Sequence, residues 1–400
     1  MRFYPIVALM ALLHAYVGWR ILPGIGAFPR LQVLMLALLV LSPILMPLGL
    51  AGSRIARQPW ADRLSWVGLL LMGLFSSLFV LTLARDVLLP VLWLVRAVGA
   101  DIALAAWQTG SAQAVPVLAL VVTVLGFLNA RRTPAIVRID VPIKGLPAAL
   151  QGFTVAQLSD IHVGPTIKRN YLQRIVNKVN SLNADMVAVT GDIVDGKVSE
   201  LSGHVAPLGL LKSRHGTFAV TGNHEYYSGA HAWVAELRRI GLTVLMNEHV
   251  VLHHGKQANT ALTPHGDPQD DSQIMAPLVL AGVTDYNAHH FDEKHRSDPK
   301  SALDGAPQAA PMRLLLAHQP RSASAAADAG FDLQLSGHTH GGQFYPWNLF
   351  VRFQQPFTHG LHKLRDLWVY TSRGTGYWGP PKRFGAPSEI SLIRLVAWRG

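Results

Sequence analysis

Five short blocks carry the residues that could do chemistry. They are Asp160-Ile161-His162, Gly191-Asp192-Ile193-Val194-Asp195, Gly222-Asn223-His224-Glu225, a lone His318, and Gly337-His338-Thr339-His340-Gly341-Gly342. Between them Asp160, His162, Asp192, Asn223, His318, His338 and His340 offer imidazole, carboxylate and amide oxygen. The chain has no cysteine, so no thiolate joins them. That donor set suits Mn, Fe, Zn or Ni rather than a calcium cage or a structural zinc. Two such ions about 3.5–4 Å apart can clamp an in-line phosphoryl displacement, and such a pair needs one bridging anion. Each block alone means little. A lone Asp-x-His or Gly-Asp recurs without function, His318 by itself is more often a hydrogen-bonded histidine, and Gly-His-x-His-Gly-Gly could be a tight turn. Their joint occurrence points to one metal crevice.

The elements that must position these blocks are legible. Each block follows an apolar, β-prone run: Thr154 to Leu158, Met186 to Val189, Thr217 to Val220, Arg313 to Ala317, and Leu333 to Leu335. In open α/β sheets the ligand site lies at the carboxyl ends of the strands. Helices separate the runs. Lys168 to Leu182 has helical apolar spacing, a second helix is expected within Ser199 to Lys212, and a third runs from about Ala230 to a stop at Gly241. Further strands are expected near Thr243 to Leu245, Val250 to His253, Leu278 to Val283, Leu367 to Thr371 and Ile390 to Val396. Lys256 to Ala276 and Asn287 to Pro311 read as surface loops.

The first third is of another kind. Residues 3–19, Leu31 to Leu50, Leu64 to Leu83 and Ala114 to Leu128 are apolar and near the length a bilayer requires, about 20 residues. Val87 to Trp107 is interrupted by Arg96 and Asp101 and reads as a surface helix or an extension of the third span. Residues 1–132 hold ten Arg, no Lys and three acids, +7 of the net +11. Such an excess beside apolar segments is a topology signal rather than nucleic-acid affinity, and no nucleic acid is expected. Arg54, Arg57 and Arg63, and then Arg131-Arg132, fall on one side in a four-span arrangement, which puts the remainder of the chain in the cytoplasm. Arg20 and Arg30 run against it, and a five-span alternative would place that remainder outside. The expected organisation is a transmembrane helical region over 1–132, a Pro-containing connector over 133–150, and an α/β domain over 151–400. Oligomeric state is not legible.

Taken in order, the five blocks resemble the calcineurin-like metallophosphoesterase family over roughly residues 150–398. Gly341-Gly342-Gln343 and Ser372-Arg373-Gly374-Thr375-Gly376 are similar to its membrane-associated bacterial branch. The resemblance implies an αββα sandwich with two divalent metal ions between the sheet ends. The membrane helices that precede it, about four, are read from the apolar spans alone. It implies that Asp160, His162 and His340 hold one ion, that Asn223, His318 and His338 hold the other, and that Asp192 bridges them. His224 would face the substrate and Asp195 would orient it. No family ligand is missing. The implied protein is a multi-pass enzyme of a bacterial inner membrane that hydrolyses a phosphoester or phosphodiester, lipid-linked or soluble, cyclic nucleotides included.

Blander readings stand beside these. Asp195 could cap the next turn, and Arg373 could be a surface arginine as readily as a phosphate contact. His253-His254 and His289-His290 read as solvated. His14 reads as a packing or interhelical polar group. The rival from another class is a sensor or transporter with a decayed phosphatase domain, which would be expected to have lost a ligand or His224.

Overall fold

The structure, a computed structural model, describes residues 4–255 and 275–398. The chain divides into two compact units: residues 1–132 with 378–384, and residues 133–377 with 385–400. The loop expected over Lys256 to Ala276 therefore lies almost wholly outside the described residues.

The first unit is helical: α1 (Tyr4–Ile21), α2 (Pro29–Leu50), a single turn α3 (Gly52–Ile55), α4 (Trp60–Ala97) and α5 (Leu104–Arg131). Four of these are long and apolar enough to cross a membrane. Val87 to Trp107 resolves in favour of extension. α4 runs 38 residues to Ala97, and the chain turns at Gly99 (φ 103°) before α5. Three charges within the helices, Arg20, Arg85 and Asp86, form one ion-paired group. Arg20 grips Asp86 through Nε and Nη2 at 2.7 and 2.8 Å, and Tyr16 donates to the same carboxylate at 2.7 Å. Such a pair lets Arg20 lie among apolar helices. His14 stacks on Phe75 with ring centroids 3.5 Å apart and bonds to Met10 O at 2.6 Å, a packing role. Residues 378–384, not separated above from the 151–400 domain, belong to this unit. Lys382 Nζ bonds to Gly73 O at 2.9 Å and to Ser77 Oγ, and Arg383 N donates to Gly126 O at 2.8 Å.

The second unit holds two six-stranded sheets. One runs β1 (Ala135–Ile143), β12 (Glu389–Ala397), β2 (Thr154–Leu158), β3 (Met186–Thr190), β4 (Thr217–Val220), β5 (Thr243–Val244). The other runs β10 (Gly360–Leu364), β11 (Leu367–Thr371), β9 (Leu333–Ser336), β8 (Arg313–Leu316), β7 (Met275–Gly282), β6 (Glu248–Gly255). One core joins them: Val155, Met186, Ala188 and Val220 from the first meet Leu280, Leu314, Leu316 and Leu335 from the second. The alternate residues of the first sheet, Ala156, Val187, Val189 and Ala219, are also fully buried. A sheet buried on both faces needs a helical cover. The apolar stripes of α6 (Arg169–Asn180) and α9 (Ala230–Arg239) supply buried apolar surface there. Across the second sheet, Leu315 and Val369 cluster with Ala323 and Ala326 of α10 (Ala323–Asp328). The architecture is the αββα sandwich. Residues 133–150, read above as a connector, instead contain the edge strand β1, paired in parallel with β12.

Candidate metal centre

β2, β3 and β4 run parallel in the first sheet, and β8 and β9 run parallel in the second. All five chemical blocks therefore leave the carboxyl ends of parallel strands. Gln157 ties the two sheets just beneath them, its Nε2 donating to Thr190 Oγ1 and to Ser336 O, each at 2.9 Å.

Two clusters of ligand-bearing side chains result. One is Asp160, His162 and His340, and the other Asp192, His318 and His338, with a further grouping, His162, Asp192 and His224, spanning the two. His162 Nε2 and His340 Nε2 are 3.0 Å apart, and His340 Nε2 lies 3.5 Å from Asp160 Oδ1. In the second cluster His318 Nε2 is 3.1 Å from His338 Nδ1 and 3.2 Å from Asp192 Oδ2. Asp192 Oδ2 also stands 3.9 Å from His162 Nε2, so it faces both clusters. Adjacent ligands at right angles on an ion about 2.1 Å away would be about 3.0 Å apart, which these nitrogen pairs match. Asn223 Oδ1 is buried with no hydrogen-bond partner, a costly condition that a cation would relieve. The residues present thus fit a metal-binding role on their own geometry.

Partners outside the clusters set the orientation of each ring. His318 Nδ1 bonds to Thr190 O at 2.8 Å, turning Nε2 toward Asp192. His162 Nδ1 bonds to Asp195 Oδ1 at 3.0 Å, turning Nε2 toward His340. The same Asp195 oxygen meets His224 Nδ1 at 2.6 Å. Asp195 is therefore no mere turn cap, since it holds two imidazoles. Backbone donors fix the carboxylates: His338 N bonds to Asp160 Oδ1 at 2.9 Å, and His224 N to Asp192 Oδ1 at 2.9 Å.

The charges are strongly coupled. Burial would raise Asp192, but His318 and His224 hold it well below the usual carboxylate range. Burial works against protonation of His224, yet Asp192 and Asp195 outweigh it and push its pKa up to about 9. Burial and the neighbouring His318 charge depress His338 to about 3.

Glu225 is the functional residue that sequence reasoning passed over. Its Oε2 accepts from Gly222 N (2.7 Å) and Asp192 N (2.9 Å), its Oε1 from Ile193 N (2.8 Å) and Val194 N (3.3 Å). One carboxylate thus staples the Asp192 turn to the Asn223 turn. The signal available was an acid at the third position of α8 (Asn223–Ser228), half of a capping box. Two glycines are required by close approach. A Cβ at Gly222 would lie 2.2 Å from Asp192 Oδ1, and one at Gly337 would lie 2.2 Å from Asp160 Oδ2. Arg373, the possible phosphate contact, sits with Nη1 3.7 Å from Glu389 Oε2. His254, expected in solvent, is buried with Nδ1 3.0 Å from His215 Nε2 and its ring edge-on to Phe153.

An αββα sandwich with His/Asp clusters at the strand ends defines a metallophosphoesterase domain. The profile of the calcineurin-like phosphoesterases matches residues 153–342. A bovine transmembrane protein with metallophosphoesterase domain is 39% identical over 314 residues, covering 74% of this chain and 67% of that protein. An uncharacterized metallophosphoesterase of Helicobacter pylori is 36% identical over 273 residues, 68% of this chain and 66% of its own length. Among solved structures, a calcineurin-like phosphoesterase from Bacillus subtilis aligns at TM-score 0.35 and 13% identity over 55% of this chain and 88% of that one. The chain belongs to the calcineurin-like phosphoesterase family and, with its four apolar helices, is membrane-associated.

Proposed function

We propose that this protein is a binuclear metal-dependent hydrolase of phosphoesters or phosphodiesters, anchored by four spans in a bacterial inner membrane with its catalytic domain in the cytoplasm. The observation that carries the reading is Asp192 facing both ligand clusters, with the buried, unpartnered Asn223 Oδ1 beside them. Asp160, His162 and His340 would hold one ion, Asn223, His318 and His338 the other, and Asp192 both. The donors suit Mn, Fe, Zn or Ni. When bound, two such ions would neutralise the phosphoryl oxygens and activate water for in-line attack.

The chain's own residues supply the proton chemistry. His224 Nδ1 is held by Asp195, which turns Nε2 into the crevice, 3.9 Å from Asp192 Oδ2, where it could reach a leaving oxygen. In the metal-free chain, against burial, Asp192 and Asp195 push the His224 pKa up to about 9, and a protonated ring can give up its proton as the ester bond breaks. Asp195 keeps its charge: burial alone would raise its pKa, but His162 and His224 hold it below the usual carboxylate range. It therefore stabilises the imidazolium before transfer.

The decisive experiment is elemental analysis of the detergent-purified chain together with a Mn²⁺-supplemented assay on monoesters, diesters, cyclic nucleotides and nucleotide-lipids. Two ions per chain and turnover of at least one class are expected. One ion or none, with no turnover in any class, would overturn the proposal. A reporter fused at Gly400 tests the topology, and periplasmic behaviour would rule out the four-span arrangement.

A further inference from the structure

The run Tyr345–Phe353 is the most apolar exposed stretch of the phosphoesterase unit. Tyr345, Trp347, Leu349, Phe350 and Phe353 are all exposed, Phe353 to 80%. No other nine-residue window in the described part of this unit holds more than two large exposed apolar side chains. Dense exposed apolar surface on a folded domain marks a contact site. The aromatic rings cluster, with Trp347 to Phe350 centroids 6.0 Å apart and Phe350 to Phe353 6.5 Å apart.

The run is braced against the metal centre. It begins five residues after His340, and a Cβ at Gly342 would lie 2.0 Å from Asn348 Cα, so the two backbones touch. Past the run, Gln355 Nε2 donates to Gln319 Oε1 at 3.2 Å, next to His318. Thr339 Oγ1, between His338 and His340, donates to Thr358 O. Both ends of the aromatic run are therefore fixed to turns that carry candidate ligands. On another wall of the site, His224 contacts Tyr227 (5.3 Å), which contacts Phe291 (5.6 Å), and both aromatics are exposed.

The occupant is identified by chemistry and by the tether. Trp, Tyr and Phe beside Arg352 form the mixture that settles at a bilayer interface. No acid occurs from Leu333 to Arg365 and Arg352 lies within the run, which favours an anionic lipid surface. Only residues 132–134 separate the end of α5 from β1. A link that short is a covalent tether between the domain and the apolar helices.

We propose that Tyr345–Phe353 seats in the lipid interface and presents the metal centre to amphiphilic phosphoesters whose apolar part stays in the membrane. This deepens the hydrolase reading and rests on it for the substrate, although the lipid contact stands independently. Because the chain has no cysteine, Phe353→Cys gives a unique labelling site. The full-length chain, labelled there with an environment-sensitive fluorophore, is placed in phosphatidylethanolamine–phosphatidylglycerol vesicles carrying doxyl lipids. Quenching at least threefold stronger than at Leu210→Cys, another exposed apolar position, is expected. Equal quenching, or cross-linking to a second copy without quenching, overturns the lipid contact. The double variant Phe350→Ser/Phe353→Ser should lose at least tenfold against hexadecyl nitrophenyl phosphate in vesicles. It should stay within about twofold of the parent on soluble bis(nitrophenyl) phosphate. Equal losses on both esters overturn the substrate inference. A parent chain that binds lipid through Phe353 but hydrolyses neither ester refutes the hydrolase reading alone.

Discussion

Gly337→Ala tests whether close packing at the base of the site fixes the metal centre. Gly337 joins the end of β9 to His338, and its φ is not in the left-handed region, so alanine can adopt the same backbone. Only the new methyl matters. It would arrive 1.9 Å from Ser159 Oγ and 2.2 Å from Asp160 Oδ2, whereas real Cβ contacts are essentially never under 3.0 Å. Both side chains must retreat by about 1 Å, a displacement that can cost on the order of 100-fold when it misplaces a reacting group. Overpacking of this kind costs about 1–3 kcal/mol, within the margin of a folded domain, so the chain should still fold. Asp160 cannot yield freely, because both its oxygens lie within 3.1 Å of His338 N.

The expected result is a folded protein with weakened metal binding at the Asp160–His162–His340 cluster and about 100-fold lower Mn²⁺-supported hydrolysis of bis(nitrophenyl) phosphate. Elemental analysis and turnover on the same preparation read both. Gly203→Ala is the control: that glycine lies in α7 (Val198–Val205) with open space around its Cβ position, so alanine should stabilise the chain by about 0.5–1 kcal/mol. Full metal content and activity within threefold of the parent in Gly337→Ala would show that Asp160 is not held where this reasoning requires.

Three further outcomes are expected. Asp192→Asn should release both ions and nearly all activity, and two ions retained per chain would remove its bridging role. His224→Ala should keep its metals yet lose about 10²–10⁴ in rate on esters with poor leaving groups, and much less on nitrophenyl esters. For the parent, the rate on poor leaving groups should fall as pH rises through about 9 or somewhat below, because bound cations lower the His224 value. A pH profile that is flat to pH 10, or equal losses on both ester classes, would exclude the acid role. Burial and the Asp192 charge push Glu225 up to about 7, so the folded chain holds this proton more tightly than the unfolded one. Its contribution to stability is full below the ordinary value of 4.5 and declines as pH rises through about 7. Denaturant titrations of the metal-free chain should show that decline, and Glu225→Gln should not. Glu225→Ala strands four buried N–H donors and should cost roughly 3–6 kcal/mol.

What could be read in advance follows from physical necessity. Side chains that converge on one crevice leave strand ends, so the five blocks and their strands β2, β3, β4, β8 and β9 were visible as apolar runs ending in Asp, Asn or His. The long spans were visible because lipid tolerates little else. β1 was not, because it is an edge strand: Arg138 and Asp140 break its apolar pattern, and Asp140 answers Arg394 of β12 at 2.8 Å across the sheet. The end of α4 was ambiguous because Arg96 and Asp101 interrupt the apolar run, and Arg20 seemed misplaced because its partner Asp86 is 66 residues away. Glu225 was overlooked for a different reason. Its partners are backbone donors, which no side-chain motif displays. His254 looked like a polar loop residue, and only the pairing of β6 with β7 carries it into a buried pocket beside Phe153.

The backbone at the site explains why the ligand-bearing turns needed a rigid frame. Asp160, His162, Asp192, His338 and His340 all have positive φ, between 51° and 69°. Among the described residues only four other non-glycine positions do: Asn183, Asn247, Gln343 and Arg365. Left-handed conformations in residues with a Cβ cost about 1 kcal/mol or more each and cluster where function holds them. Histidine and aspartate are tolerated there better than bulky or branched residues, so residue type and conformation agree. The conformation also has a geometric effect. A left-handed residue reverses the extended strand at once, so Asp160 and His162, or His338 and His340, send both side chains back toward one crevice. Glu225 and Gln157 lock that arrangement from below through buried hydrogen bonds to backbone and side chain. Strain in five places is sustained by a doubly covered sandwich, and a cation accepted by these side chains would lower the free energy of the strained state relative to any relaxed one.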